Sequence, residues 1–254
     1  MSVAGRRILV PVTAGRRDLA ERLRAAGALV DEVEFIEVVE TAQPEVLAAA
    51  TLEWCDGAFD WLAVTSRNAV LAMAAVATAN ARSLADPVPF AQVATVGEAT
   101  RSVCAGVGLD VALVPSGTQD ARGIVADFPE GPGRVLVPLG DLAGPVLARG
   151  LERKGWDVTK VEAYRVVDGP GISADTAAAL AAGEFDAVLL TSGSVAERYA
   201  PHAAPEGTLV VAIGRTTQAA AKGAGLTVGA VAAIPSHDGI LEALENAWNT
   251  REDA

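Results

Sequence analysis

The chain is written twice, and this duplication constrains the fold more than any other feature of the sequence. The run Phe59-Asp60-Trp61-Leu62-Ala63-Val64-Thr65-Ser66 recurs as Phe185-Asp186-Ala187-Val188-Leu189-Leu190-Thr191-Ser192. Val96-Gly97-Glu98-Ala99-Thr100 recurs as Ile213-Gly214-Arg215-Thr216-Thr217, and Gly106-Val107-Gly108-Leu109-Asp110-Val111 as Gly223-Ala224-Gly225-Leu226-Thr227-Val228. The openings correspond too, Arg7-Ile8-Leu9-Val10-Pro11 with Arg134-Val135-Leu136-Val137-Pro138. Two copies imply two similar lobes, and a cleft between lobes is where function is first sought.

Short apolar runs alternate with helical patterns in both copies. Strands are expected at 8–12, 33–39, 61–64, 93–96 and 111–114, and again at 135–138, 158–167, 187–190, 209–213 and 227–230. Helices are expected at 18–26, 67–79, 98–105 and 120–127, then at 144–154, 176–182, from 195, 216–222 and 239–247. Gly27, Gly106 and Gly155 stand where helices should end. Strand-helix alternation of this kind builds a parallel sheet covered by helices on both faces. The fold class is therefore α/β, as two similar parallel-sheet lobes. Segments 40–44 and 167–171 are candidate linkers, each following a corresponding strand. If the chain crosses at both, residues 41–166 form one lobe and residues 1–38 with 168–254 form the other. Simple tandem lobes fit the periodicity equally well.

Composition narrows the function. At 254 residues and 51% hydrophobic content the chain can bury one large core or two medium-sized ones. No apolar run approaches the ~20 residues that span a bilayer, and the first residues lack a signal-peptide pattern. The expected location is the cytoplasm, with no membrane partner. A net charge of −12 argues against nucleic acid, though arginines and helix N-termini can still make a cleft locally positive. Two cysteines, Cys55 and Cys104, form no CxxC, and His202 and His237 have no ligand spacing, so neither zinc nor haem is indicated.

The chemistry is expected at strand ends. Thr65-Ser66 and Thr191-Ser192-Gly193-Ser194 each follow a strand and lead into a helix, as do Val96-Gly97-Glu98-Ala99-Thr100 and Ile213-Gly214-Arg215-Thr216-Thr217. In an open parallel sheet, ligands bind outside the carboxyl ends of the strands. Helix N-termini there offer unpaired N–H groups that suit carboxylates. Capping alone accounts for any single Ser or Thr; four equivalent turns point to a shared site. Gly140, in Val137-Pro138-Leu139-Gly140-Asp141, is either a turn glycine or a point of close backbone approach. No GxGxxG, P-loop or GxSxG is present, so nucleotide binding and a serine nucleophile are not indicated. Tyr164, one of two tyrosines, lies near the interlobe crossing at 167–171, where its phenol either donates to a leaving oxygen or packs half-buried.

At these residues the sequence resembles the uroporphyrinogen-III synthase family, over nearly the whole chain. The resemblance is carried by the 59–66 run, by 96–100, by Leu136-Val137-Pro138-Leu139-Gly140-Asp141, by Val161-Glu162-Ala163-Tyr164-Arg165-Val166-Val167, by 189–194 and by 213–217. It implies two α/β lobes joined by a two-stranded linker, with the middle of the chain as one lobe. It implies an enzyme of porphyrin and haem biosynthesis, a lyase needing no cofactor or metal. Its substrate is hydroxymethylbilane, a polyanionic linear tetrapyrrole, which loses its terminal hydroxyl and cyclises through a spiro intermediate that inverts the last pyrrole ring. By the same resemblance Tyr164 assists the departing hydroxyl. Thr65, Ser66, Gly97, Thr100, Gly140, Thr191, Ser192, Gly193, Ser194, Gly214, Thr216 and Thr217 are the candidates for substrate binding, in a chain expected to be a monomer. The alternative is a non-catalytic, synthase-like sensing domain of the kind fused to DNA-binding modules; an end at Ala254, just past the last helix, favours the enzyme. Two departures stand out. The family's Thr-Arg-Pro after the first strand is here Thr13-Ala14-Gly15-Arg16-Arg17, leaving Arg16 as the candidate replacement, and Arg67 stands where relatives carry a smaller residue.

Overall fold

A computed structural model describes residues 3–13, 17–87, 91–203 and 205–252. The chain divides into two compact units, Met1–Glu37 with Val167–Ala254 (unit 1) and Val38–Val166 (unit 2). Arg16 lies outside the described residues.

Unit 1 carries strands β1 (Arg7–Pro11), β2 (Leu29–Val33), β8 (Ala187–Leu190), β9 (Leu209–Ala212) and β10 (Ala230–Val231), ordered β10-β9-β8-β1-β2. The sheet of unit 2 contains β3 (Ile36–Glu40), β4 (Trp61–Val64), β5 (Gln92–Thr95), β6 (Arg134–Gly140) and β7 (Asp157–Asp168), ordered β3-β7-β6-β4-β5. The two passages between units fall inside β3 and β7, which neighbour each other. The duplication therefore does not map one copy to one unit. Copy one supplies β1 and β2 to unit 1 and β4 and β5 to unit 2, while copy two supplies β8 and β9 to unit 1 and β6 and β7 to unit 2. Parallel pairing enforces this exchange: β1 pairs with β8 in unit 1, as β6 pairs with β4 in unit 2.

Helices cover both faces of each sheet, which is why β4, β8 and β9 are buried at every residue. In unit 2, α2 (Pro44–Cys55), α3 (Arg67–Ala79) and α4 (Glu98–Gly106) pack on one face around Trp54, Met73 and Cys104. On the other, α5 (Ala121–Asp127) and α6 (Val146–Arg153) enclose Phe128, Leu147 and Trp156. In unit 1, α1 (Asp18–Ala25) and α10 (His237–Glu252) cover one face. The other is covered by α7 (Ala174–Ala181), α8 (Gly193–Tyr199) and α9 (Arg215–Gly223), with Phe35 meeting Tyr199 edge-on at 6.2 Å. Among the described residues no helix is long and apolar enough to cross a membrane.

The most conspicuous repeat, Phe-Asp, builds a clasp at the amino edge of each sheet. Asp60 accepts the Arg134 N–H at 2.7 Å, and Asp186 accepts the Arg7 N–H at 2.8 Å. The two arginine side chains turn back over the preceding phenylalanines, Arg134 over Phe59 and Arg7 over Phe185, each 4.5 Å from the ring centre. One carboxylate thus satisfies the first N–H of the neighbouring strand, while a cation–π contact shields the core edge.

Several expected elements differ. The strand expected at 33–39 is two strands, because the carbonyls of Glu34 and Phe35 are taken by the N–H groups of Gly171 and Gly169 instead of a sheet neighbour. Residues 111–114 make one bridge, Leu113 to Ala94, and the next residue, Pro115, has no N–H to extend it. The strand expected at 227–230 shrinks to Ala230–Val231. The left-handed glycine behind α4 is Gly108 (φ 81°), not Gly106, with Leu109 N–H bonding back to Cys104. Segment 40–44 is not a free linker, since α2 begins at Pro44. Its signal was present: Leu47, Ala50, Thr51 and Trp54 follow helical spacing behind a proline at the first position, and all four are buried.

Candidate functional site

The candidate residues of unit 2 gather at the carboxyl edge of its sheet. β4 ends at Val64, and Thr65 and Ser66 carry the chain into α3. Ser66 has extended backbone geometry and its Oγ accepts the Asn68 N–H at 3.2 Å, an N-cap. The same oxygen accepts a second hydrogen bond, from the Tyr164 hydroxyl at 3.0 Å. Tyr164 thus ends against the positive end of a 13-residue helix. Gly140, the last residue of β6, lies beneath the tyrosine: a Cβ there would stand 2.7 Å from Cζ and 2.9 Å from the hydroxyl oxygen. The space that a side chain would fill at this glycine is taken by the Tyr164 ring.

The neighbouring strand adds the second turn. Val64 and Thr95 are partners in the parallel ladder, so the turns after β4 and β5 lie side by side. Gly97 begins α4 with fully extended backbone (φ 177°). A Cβ at Gly97 would meet the Gln119 Oε1 at 2.8 Å, which places the Gln119 amide over this turn. Thr100, one turn further on, is 5% exposed, so its side chain belongs to the packing beneath the turn.

Unit 1 repeats the arrangement. Leu190 and Ala212 are ladder partners, setting the turns after β8 and β9 side by side. Ser192 caps α8 through Val195 N–H at 3.2 Å. Gly214 begins α9 with the same extended backbone as Gly97 (φ 179°). Thr217, like Thr100, is 5% exposed, while Thr216 is exposed. A Cβ at Gly193 would come 3.1 Å from the Ala220 Cβ, so this glycine lets α8 approach α9. The Ser194 carbonyl accepts from Arg198, whose Nε also pairs with Asp168 at 2.6 Å. Thr191 is half-buried. Among the described residues Ser192 has no phenol partner corresponding to Tyr164. Copy one places Ile36 at the equivalent position, where it packs against the Phe35 and Tyr199 core.

A cavity of about 370 Å³ in unit 1 lies at the opposite, amino edge of the sheet, among Arg6, Glu184, Asp186, Thr208 and Trp248. Arg6 there is already committed to Asp186 at 2.8 Å. Two residues outside the sequence-derived set adjoin the candidate site, Gln119 and Asp141. Asp141 N–H donates to the Tyr164 carbonyl at 3.1 Å, and its Oδ1 accepts the Val166 N–H at 3.0 Å. Neither carries a spacing signal: Gln119 acts from a loop, and Asp141 acts through a backbone pairing that only the sheet reveals.

Two α/β units, each with paired helix N-termini at the carboxyl edge of its own parallel sheet, define the class, an internally duplicated α/β protein. Residues 17–242 match the model of the uroporphyrinogen-III synthase HemD family. The chain is 31% identical over 199 residues to the uroporphyrinogen-III synthase of Synechococcus elongatus, covering 77% of this chain and 74% of that one. Solved structures of uroporphyrinogen III synthases share the fold. A Thermus thermophilus enzyme superposes with a TM-score of 0.69 at 19% identity, covering 97% of this chain and all of that one (100%). A Helicobacter pylori enzyme gives 0.62 at 17% identity over 95% and 99% of the two chains. The chain belongs to the uroporphyrinogen-III synthase family.

Proposed function

We propose that this chain is a working uroporphyrinogen-III synthase, a lyase that closes hydroxymethylbilane into uroporphyrinogen III with inversion of the terminal pyrrole ring and release of water. The observation that carries the reading is the Tyr164–Ser66 pair at a helix N-terminus, on a chain whose sequence matches this family from end to end of the candidate motifs.

Pyrrole electrons drive loss of the terminal hydroxyl, so the protein need supply neither a strong acid nor a nucleophile. The catalyst must hold a flexible polyanion in one geometry and help an oxygen leave. Positioning is the larger task, because the unaided substrate closes with the last ring unflipped. Backbone amides of the turns at Ser66, Gly97, Ser192 and Gly214, with the hydroxyls of Thr65, Thr191, Ser194 and Thr216, are the groups assigned to the carboxylates. Thr100 and Thr217 support those turns from beneath. Tyr164 is assigned to the leaving oxygen: its O–H, donated to Ser66 in the free enzyme, donates instead to the hydroxyl that departs as water, and the proton released as the ring closes restores the balance. The net charge of −12 supports a small-molecule partner over nucleic acid.

The test is to supply hydroxymethylbilane and resolve the type I and type III isomers after oxidation. Type III product is expected from the wild-type chain. Tyr164→Phe should slow its formation about tenfold to hundredfold without abolishing it, the worth of one hydrogen bond to a group developing charge. Type I alone from the wild type refutes the activity, and full speed in Tyr164→Phe refutes the role of the phenol.

A further inference from the structure

We propose that Asp141 is a positioning residue for Tyr164, and that with Gly140 it locks an irregularity in β7 without which the phenol would face the wrong side of the sheet. The proposal rests on the catalytic reading of Tyr164 given above.

The register between β6 and β7 carries the argument. Pro138 pairs with Val161 and Leu139 with Glu162, but Gly140 pairs with Tyr164, so Ala163 is skipped. Side chains alternate faces along a regular strand, and a slip of one residue exchanges the faces. Val161 and Ala163 both enter the core beneath α3, as alternation requires. Tyr164, the next residue, ought to point to the opposite face. It packs instead against the same core as Ala163, and its hydroxyl reaches the N-cap of α3. The skipped residue is what turns it, in the manner of a β-bulge that re-aims a side chain.

Four hydrogen bonds hold this irregularity in place. Asp141 N–H donates to the Tyr164 carbonyl at 3.1 Å. Asp141 Oδ1 accepts the Val166 N–H at 3.0 Å, so one residue grips the strand on both sides of Arg165. On the amino side of the bulge, Glu162 Oε1 accepts Thr41 Oγ1 at 2.7 Å and the Ala42 N–H at 3.0 Å. Gly140 supplies the space into which the re-aimed ring settles. The carboxylate of Asp141 touches backbone rather than the phenol, so its effect on the reaction runs through where Tyr164 stands.

A double-mutant cycle tests this. Asp141→Ala should lower kcat about tenfold with KM nearly unchanged, and the type III share should fall as unaided closure competes. Asp141→Asn keeps the acceptor oxygen and should restore most of kcat. In the Tyr164→Phe background, Asp141→Ala should cost nothing further, because no phenol remains to be placed. Equal losses in both backgrounds, or no rescue by Asn, overturn the positioning role and leave the role of Tyr164 standing. Full activity in Tyr164→Phe alone overturns the role of Tyr164 itself, and the positioning proposal with it. Should Asp141→Ala fail to fold, Gly140→Ala reads the same coupling from the neighbouring strand: its kcat loss must vanish in the Phe background, and persistence of that loss overturns the proposal.

Discussion

Replacing Asp186 by alanine separates what the duplicated motif does for the fold from what it does for the reaction. The carboxylate accepts the Arg7 N–H at 2.8 Å and the Arg6 guanidinium at 2.8 Å. A hydrogen bond to a charged group contributes about 1.5–3 kcal/mol, and truncation also leaves the N–H at the start of β1 without its acceptor. The Arg6 pair, with side chains 33% and 31% exposed, adds less than about 1 kcal/mol after solvent screening. The expected cost is therefore about 2–3 kcal/mol. At about 2–4 °C per kcal/mol for a chain of this size, the thermal midpoint should fall by about 4–12 °C. Asp60→Ala removes one backbone partner at a more exposed site and should cost about 1 kcal/mol. Thermal and urea unfolding followed by far-UV circular dichroism measure the losses. The isomer assay, run where each variant is folded, should return wild-type kcat and type III share. A loss below about 0.5 kcal/mol for Asp186→Ala, or a falling type III share in folded protein, would refute the assignment of this repeat to structure.

Two further outcomes follow from the same geometry. Ser66→Ala and Ser192→Ala each remove an N-cap, about 1 kcal/mol apiece in unfolding experiments. Only Ser66 holds the phenol, so Ser66→Ala should lower kcat while Ser192→Ala raises KM, and matching kinetic changes would contradict the asymmetry. Burial pushes the Cys104 thiol up to about 11. Iodoacetamide at pH 8 should leave Cys104 unmodified in the native protein and label it in urea. Because the folded-state value is raised, Cys104 favours the folded protein below its unfolded value of ~8.5, and that contribution drains away as pH rises toward the folded one. Rapid native labelling, followed by mass spectrometry, would contradict the burial.

The parallel α/β architecture was legible because both signals behind it are local. Apolar runs of strand length and helical spacing are properties of consecutive residues, and the helix at Arg67–Ala79 and the strand at Ala187–Leu190 lie where that spacing places them. The Thr-Ser turns were legible for the same reason, since a cap is written within four residues of the helix it starts. Failures came where a partner distant in sequence decides. The break after Val33 depends on Gly169 and Gly171, and the brevity of β10 depends on its edge position. The role of Phe-Asp was hidden too: it sits in the same repeat as Thr-Ser, and only pairing across 74 and 179 positions puts Asp60 and Asp186 at the other edge of the sheet from the site.

The sequence by itself determined that there are two copies, that each alternates strand and helix, and which hydroxyls stand at strand ends. How the copies divide was left open by periodicity and implied only by the family resemblance; the pairing of β1 with β8 and of β6 with β4 is what exchanges their halves between units. Tertiary structure alone decided which hydroxyl meets which. Alternation along β7 directs Tyr164 away from Ser66, and a single skipped residue in the ladder, held by Asp141 across the sheet, brings them to 3.0 Å. Periodicity cannot register a skip that exists only relative to a neighbouring strand.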